Sequence, residues 1–316
     1  MKRLLATLAM PFVITACGSD DDQTQGNTVI PLDFGDAYSA QLEISEVLNA
    51  SAEVSVSITA KDGQSTQGQT VSLLPNMAMV AGHAHSTPMA DESGELDEKG
   101  TFTTKAYFLM PTHSSDGEIQ GNWSFEISFN DETVIAPFTV EMDISDRKML
   151  RGIDDKISGM SGPMARPYFL YSEGRHVMDS GDHFTVYVAT REYMTKHTSL
   201  VDGIDLVGSM PMQMPMMAAA EEAPDYTLDN LSASVKMCAQ DCDLDISWED
   251  ATPVQGMSGQ YRASNIGLNG NDTDTVLVQL TVNDEVKTTS GTAEGTAYVT
   301  FTFDGASESS DMSHSM

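Results

Sequence analysis

The chain has 316 residues, of which 16 are lysine or arginine and 47 are aspartate or glutamate, for a formal charge of −31. A surface so poor in cations cannot displace counterions from phosphate, which argues against any nucleic-acid role. The plain consequence of the acidity is solubility, including at high salt. Catalytic signatures are also missing: the sequence holds no Gly-x-Ser-x-Gly, P-loop, His-Glu-x-x-His or dinucleotide fingerprint, and its two "GMSG" stretches, at Gly159 and Gly256, lack the spacing of a nucleophile elbow. The reading is of a binding protein rather than an enzyme.

The chain opens with "MKRLLATLAMPFVITAC". A basic start at Lys2 and Arg3, an apolar run from Leu4 to Ala16 and small residues leading into Cys17 have the layout of a secretory signal. The run is too short to span a bilayer. Ile14-Thr15-Ala16-Cys17 resembles a bacterial lipobox, which implies cleavage after residue 16 and a lipid on Cys17. By the same resemblance, Gly18-Ser19 in place of an aspartate at the second position implies sorting to the outer membrane, and Asp20 to Asp22 come too late to count. Residues 17–35 read as the lipidated tether, polar and Gly/Gln-rich from Ser19 to Asn27.

Beyond the tether, period-two alternation dominates and no long stretch has helical periodicity. Strands are expected at Gln41 to Leu48, Glu53 to Ala60, Thr70 to Leu74, Thr101 to Leu109, Trp123 to Phe129 and Val134 to Glu141. In "VSVSIT", Val54, Val56 and Ile58 share one face, and in "NWSFEISF", Trp123, Phe125, Ile127 and Phe129 do the same. Short strands separated by turn residues over about 100 residues predict an immunoglobulin-like β-sandwich across 36–143. A Gly/Ser/Pro-rich stretch, "SGMSGPMARP", marks a linker at 144–166.

A second sandwich is expected over 167–304, with strands at Tyr168 to Tyr171, His183 to Ala189, Ser232 to Met237, Asp243 to Trp248, Gln260 to Ile266, Thr275 to Val286 and Thr296 to Phe303. "WSFEISFNDETV" and "VLVQLTVNDEVK" share an inward pattern followed by the same Asn-Asp-Glu turn, a weak internal repeat that generic hairpin chemistry also produces. The prediction is thus an all-β chain of two tandem immunoglobulin-like sandwiches. Residues 305–316 read as a flexible tail.

With Cys17 assigned to lipid, Cys238 and Cys242 remain. In an oxidising compartment such a pair forms a disulfide across a turn; the rival reading joins both thiolates and Met237 in a soft-metal site. His176 and His183 in "HVMDSGDH" are read as flanking a turn, and Asp272 and Asp274 in "LNGNDTDT" as a hairpin turn before a calcium site.

Methionine is the anomaly, at 21 residues. In a core it fills gaps singly, but here it gathers in polar and Pro-rich stretches: Met77, Met79 and Met89 in "PNMAMVAGHAHSTPM"; Met210, Met212, Met214, Met216 and Met217; and Met312 and Met316 around His314. Thioethers favour Cu(I) and imidazoles serve both copper states, so Met/His loops suit an extracytoplasmic copper site. The primary candidate ligands are Met77, Met79, His83, His85, Met110 and His113. The five methionines from 210 to 217 are secondary candidates, and a partner-docking loop or low complexity explains them equally well.

The stretch from Val71 to Phe129 resembles the YtkA-like and FixH-like family of small immunoglobulin-like sandwiches, whose pattern runs Met-Pro-x-Met-x-His, Gly-x-Tyr, Gly-x-Trp. Met77, Met79 and His83 or His85 take the first places loosely, with Asn76 where the family has proline. Gly100-Thr101-Phe102 takes the second place and Gly121-Asn122-Trp123 the third. The resemblance implies copper handling. The functional expectation is an outer-membrane-anchored copper chaperone, buffer or delivery factor passing Cu(I) to an acceptor protein. The alternative is a structural or protein-interaction lipoprotein of the envelope without metal.

Overall fold

The alternating segments do fold as strands, nineteen of them among the residues described by the computed structural model, which are 27–159, 162–178, 181–193, 196–208, 226–239, 248–264, 266 and 273–304. The first nine are β1 (Thr28–Phe34), β2 (Tyr38–Ile44), β3 (Ser51–Ala60), β4 (Thr70–Met79), β5 (Ala84–His85), β6 (Ser93–Glu95), β7 (Thr101–Tyr107), β8 (Gly121–Phe129) and β9 (Glu132–Phe138). They form two antiparallel sheets. One has the order β1-β2-β3-β7, and the other β5-β4-β8-β9 with β6 also on β4. Val54, Val56 and Ile58 from the first sheet meet Val71, Leu73, Trp123, Phe125, Ile127 and Phe129 from the second in one buried cluster. This is a β-sandwich, and each large apolar side chain so buried contributes about 1.5–3 kcal/mol.

Two expected boundaries move. The tether does not reach residue 35, because β1 pairs with β2 from Thr28↔Ile44 to Phe34↔Tyr38. Its signal is blunted by Pro31, which is tolerated because β1 is an edge strand. Nor is 144–166 an irregular linker. A 3-10 turn (Ile144–Asp146) leads straight into β10 (Arg147–Gly159), which forms a hairpin with β11 (Gly162–Met178). Leu150 and Ile157 anchor β10 inward, and the glycines that suggested a linker flank the hairpin tip.

The remaining strands are β12 (Gly181–Tyr193), β13 (Lys196–Ser199), β14 (Ala233–Ala239), β15 (Glu249–Pro253), β16 (Gln260–Ser264), β17 (Thr273–Val282), β18 (Glu285–Val286) and β19 (Val299–Asp304). They join β10 and β11 in a single ten-stranded path, β10-β11-β12-β16-β15-β14-β17-β18, with β13 on β12 and β19 on β17. The path also returns on itself. Arg151 of β10 and Thr288, two residues past β18, exchange backbone hydrogen bonds of 2.7 and 3.0 Å. The enclosed core contains Tyr168, Leu170, Phe184, Val186, Val188, Val235, Met237, Val276, Val278, Leu280 and Phe301. The second half differs from the first in connectivity: its strands belong to one continuous path that folds over this core, the β10–β11–β12–β16 part packing on the β14–β17–β19 part, and its ends meet at Arg151 and Thr288. Of its expected strands, Asp243 to Trp248 lies outside the described residues but for Trp248.

The suspected repeat has a physical basis in its turns. Phe129↔Glu132 and Val282↔Glu285 each close a two-residue hairpin. The turn residues have φ of 48° and 63° at Asn130 and Asp131, and 49° and 63° at Asn283 and Asp284. Positive φ at both positions is the twist-matched hairpin turn, and Asn and Asp tolerate it better than other side chains.

A third cluster joins the two halves: Ala50, Tyr107 and Leu109 pack on Phe169, Tyr171, Tyr187 and Ala189. Tyr107 stacks on Tyr187 at 3.6 Å between ring centres. The Tyr187 hydroxyl donates to the Met89 carbonyl at 3.1 Å and lies 2.8 Å from Ser199 Oγ. Burial pushes the phenols of Tyr107, Tyr171 and Tyr187 upward in pKa.

Candidate functional site

The Met/His stretch is more ordered than a loop between strands. β4 continues through Pro75 to Met79, paired with β8 at Met77↔Trp123 and Met79↔Gly121. A tight turn follows, in which Met79 N–H donates to His83 O at 2.9 Å and Gly82 N–H to Met79 O at 3.0 Å. Gly82 sits at φ +85°, a conformation that costs glycine nothing. β5 then returns along β4 with Ala78↔Ala84 and Met77↔His85.

Register decides what each candidate can do. Cross-strand neighbours project to the same face, so His85 shares a face with Met77, and His83 with Met79. Depth differs sharply along that face. Met77 is fully buried and belongs to the sandwich core. Met79 is partly buried against that core, His85 is half-buried and His83 is exposed. Met77 is therefore core-forming, and its side chain packs under the hairpin with the sandwich core rather than on the exposed rim where His83 stands.

The two imidazoles are brought together, with ring centres 5.0 Å apart and planes at 82°. His85 is held below the ordinary histidine pKa, first by burial, then by the neighbouring His83 and Arg191 charges. Its ring therefore keeps a free lone pair to lower pH than usual. Arg191, whose own charge is disfavoured by burial, donates from Nη2 to Met164 Sδ at 3.0 Å.

Met110 and His113 lie at the same end of the sandwich in a recess of about 770 Å³, with Pro111, Gln120, Glu141 and Met142 among its walls. The backbone joins this recess to the hairpin: Val80 N–H donates to Gln120 O at 3.1 Å, and Gln120 N–H to Thr112 O at 2.8 Å. Neither His83 nor His85 lines the recess. The six expected ligands thus divide three ways: one into the core, three along the hairpin face, and two into the recess. Among the described residues no group of three or more His, Cys, Asp or Glu side chains converges. Thioether sulfur from Met79 is the further donor type on the hairpin face.

The secondary candidates Met210, Met212, Met214, Met216 and Met217 lie outside the described residues, as does Cys17. Cys238 is disulfide-bonded, which removes the thiolate-metal reading; Cys242 lies outside the described residues. Met237, the third donor of that reading, is buried in the second core. His176 and His183 are paired in backbone register across the β11–β12 hairpin, and His183 Nδ1 is 2.6 Å from Ser264 Oγ. Asp274 lies in β17, and Asp272 lies outside the described residues.

Sequence reading missed one group altogether. Asp155, Arg166, Tyr168 and Lys287 form a buried polar cluster where the ten-stranded sheet closes. The only signal was the count of basic residues, since a chain with 16 of them buries two here.

No family model matches the chain, and no curated protein matches it in sequence. The YtkA-like resemblance therefore rests on the motif residues alone.

Proposed function

We propose that this chain is a copper-binding lipoprotein of the bacterial outer membrane, related to the YtkA-like and FixH-like domains, whose β4–β5 hairpin holds Cu(I) through His83, His85 and Met79. The 5.0 Å ring separation is the observation that carries this reading. Two imidazoles bound to one tetrahedral ion at about 2.0 Å place their ring centres about 5 Å apart. Neutral imidazole and thioether are the donors Cu(I) favours. A rim site with one exposed ligand suits transfer by ligand exchange to an acceptor protein, so the role is buffering or delivery and needs no catalysis. Met110 and His113, in the adjoining recess, are the residues a second ion or a transfer intermediate would use.

The test is a Cu(I) titration of the soluble form starting at Ser19, in competition with a chromophoric chelator. Stoichiometric competition by the wild type and its loss in the His83→Ala/His85→Ala double variant are expected. Undiminished affinity in that variant would reject the site.

A second reading, a protein-interaction lipoprotein without metal, is favoured by one observation. Val80, 71% exposed at the hairpin tip, and Ile119, 53% exposed, flank the Val80–Gln120 hydrogen bond and offer apolar contacts at the same end. A partner captured equally well with and without chelator, and lost in Val80→Asp, would select it.

A further inference from the structure

The buried cluster at the sheet closure has a composition that ordinary folding does not require. Between Arg151 and Lys156 the register of β10 on β11 slips, so that residues 152–155 stand opposite Arg166 alone. Bulges re-aim side chains, and this one turns Asp155 inward, its side chain 5% exposed. Gly152 makes the bulge possible, because a Cβ there would lie 2.6 Å from Asp155 Cβ and 2.7 Å from its carbonyl oxygen.

Three groups converge on the Asp155 carboxyl. Arg166, fully buried, donates from Nε to Oδ1 at 2.8 Å and also reaches the carbonyls of Tyr226, Arg191 and Lys156. The Tyr168 hydroxyl donates to Oδ2. Lys287, its side chain 1% exposed, places Nζ 3.6 Å from Oδ2 and 5.2 Å from the centre of the Tyr168 ring. The distance from Nζ to the carboxyl carbon can differ from 3.6 Å by no more than one C–O bond length. Glu285 Oε1 lies 2.9 Å from the same Nζ, and its carboxylate also accepts the amides of Ile153 and Asp154.

We propose that Lys287 and Asp155 form an intramolecular amide bond that locks the ends of the ten-stranded sheet covalently. The arrangement has each part such a condensation needs. Lys287 begins as an ammonium and passes one proton to Glu285. The freed amine attacks the Asp155 carboxyl carbon, forming the N–C bond. Arg166 and Tyr168 hold the two carboxyl oxygens and take the charge that develops on them. The nitrogen of the adduct gives its second proton to the departing oxygen and Glu285 returns the first, so that the C–O bond breaks, the oxygen leaves as one water and the nitrogen keeps a single hydrogen as the amide. The ammonium and the carboxylate become an amide plus water, with no oxidant, reductant or activating cofactor. Burial of the amine against an aromatic ring excludes competing water, and fixed placement replaces a bimolecular encounter. The charge balance of the pocket is unchanged, because one cation and one anion disappear together and Arg166 and Glu285 remain.

The test is peptide mapping of the full chain isolated from its membrane, after complete tryptic digestion. Cleavage after Lys287 should be lost, and a branched peptide lighter by one water than its two arms should join Lys287 to Asp155, with fragment spectra distinguishing Asp155 from Asp154. Recovery of both linear peptides, with cleavage after Lys287, would overturn the proposal; so would a water loss located at another residue. Lys287→Arg, which keeps the buried cation, should yield only linear peptides. Glu285→Gln should leave most of the chain unlinked, and full linkage in that variant would overturn the role given to Glu285.

Discussion

Met77 offers the sharpest test of how the Met/His stretch is built, because the same residue is a ligand in one account and core in the other. Its side chain is fully buried beside Trp123 in register, and Gly121 lies so close that a Cβ there would be 3.0 Å from Met77 Cε and 3.1 Å from Cγ. Truncation to alanine leaves a cavity that this packed neighbourhood cannot fill, at a cost of about 2–5 kcal/mol. That is a large share of the roughly 5–15 kcal/mol that holds a domain folded. Met77→Leu removes the sulfur and keeps the volume, so its cost should stay below about 1.5 kcal/mol. Urea unfolding followed by the fluorescence of Trp123 in a Trp248→Phe background reads the stability, and the Cu(I) competition reads affinity on the same samples. The expected result is a lower midpoint for Met77→Ala and copper affinity unchanged in Met77→Leu. A Met77→Leu protein with an unaltered midpoint and tenfold weaker copper binding, about 1.4 kcal/mol, would refute the placement of Met77 in the core.

Other predictions address the seam, the turns, the histidine pair and the closure. Tyr187→Phe removes the hydroxyl that serves Met89 and Ser199 and should cost about 1–3 kcal/mol by calorimetry, with copper affinity untouched; a shift in affinity would tie the seam to the proposed His83/His85 site. Asp131→Gly and Asp284→Gly relieve positive φ and should each raise stability by up to about 1 kcal/mol, whereas a lowered thermal midpoint would contradict the turn type. Because folding depresses the His85 pKa, the unfolded chain binds the proton more readily, so stability is complete above about pH 6.5 and falls as pH drops below it. His85→Gln should flatten that slope, and an unchanged slope would exclude His85 as its source. Lys287→Arg should cost about 5 kcal/mol if a covalent link closes more than 100 residues of chain; a neutral effect would mean that the wild type carries no such constraint.

The core strands could be read from the sequence because their information is local. Val54, Val56 and Ile58, or Trp123 through Phe129, alternate within a few residues and need no partner to declare their inward face. The strand expected at Thr70 to Leu74 stops just before Pro75, a residue that cannot donate to a ladder. In the fold, however, Leu73 N–H points away from β8 toward Glu92 O, and Pro75, two residues on, points its missing donor to that same side, between the segments of β4 that pair with β6 and β5. The histidine pair was legible as spacing, whereas the division of the methionines between core and rim was not, since it depends on which face of β4 meets β8. The Asp155–Lys287 contact was invisible for a different reason: it joins residues far apart in sequence through a bulge.

The return of the second sheet to its own first strand also sets an order of events when the chain is made. The first sandwich draws its whole core from residues 34–140, so every partner it needs has been synthesised before Arg151. The second half cannot complete its ladder until Thr288 arrives, near the end of the chain, and such long-range pairing is slow. During that wait the β10–β11 hairpin carries an unpaired outer edge, the kind of surface on which strands from other chains add. A chain emerging from its N-terminus would therefore present one finished module and one waiting edge, and chaperone dependence during synthesis should concentrate on the latter.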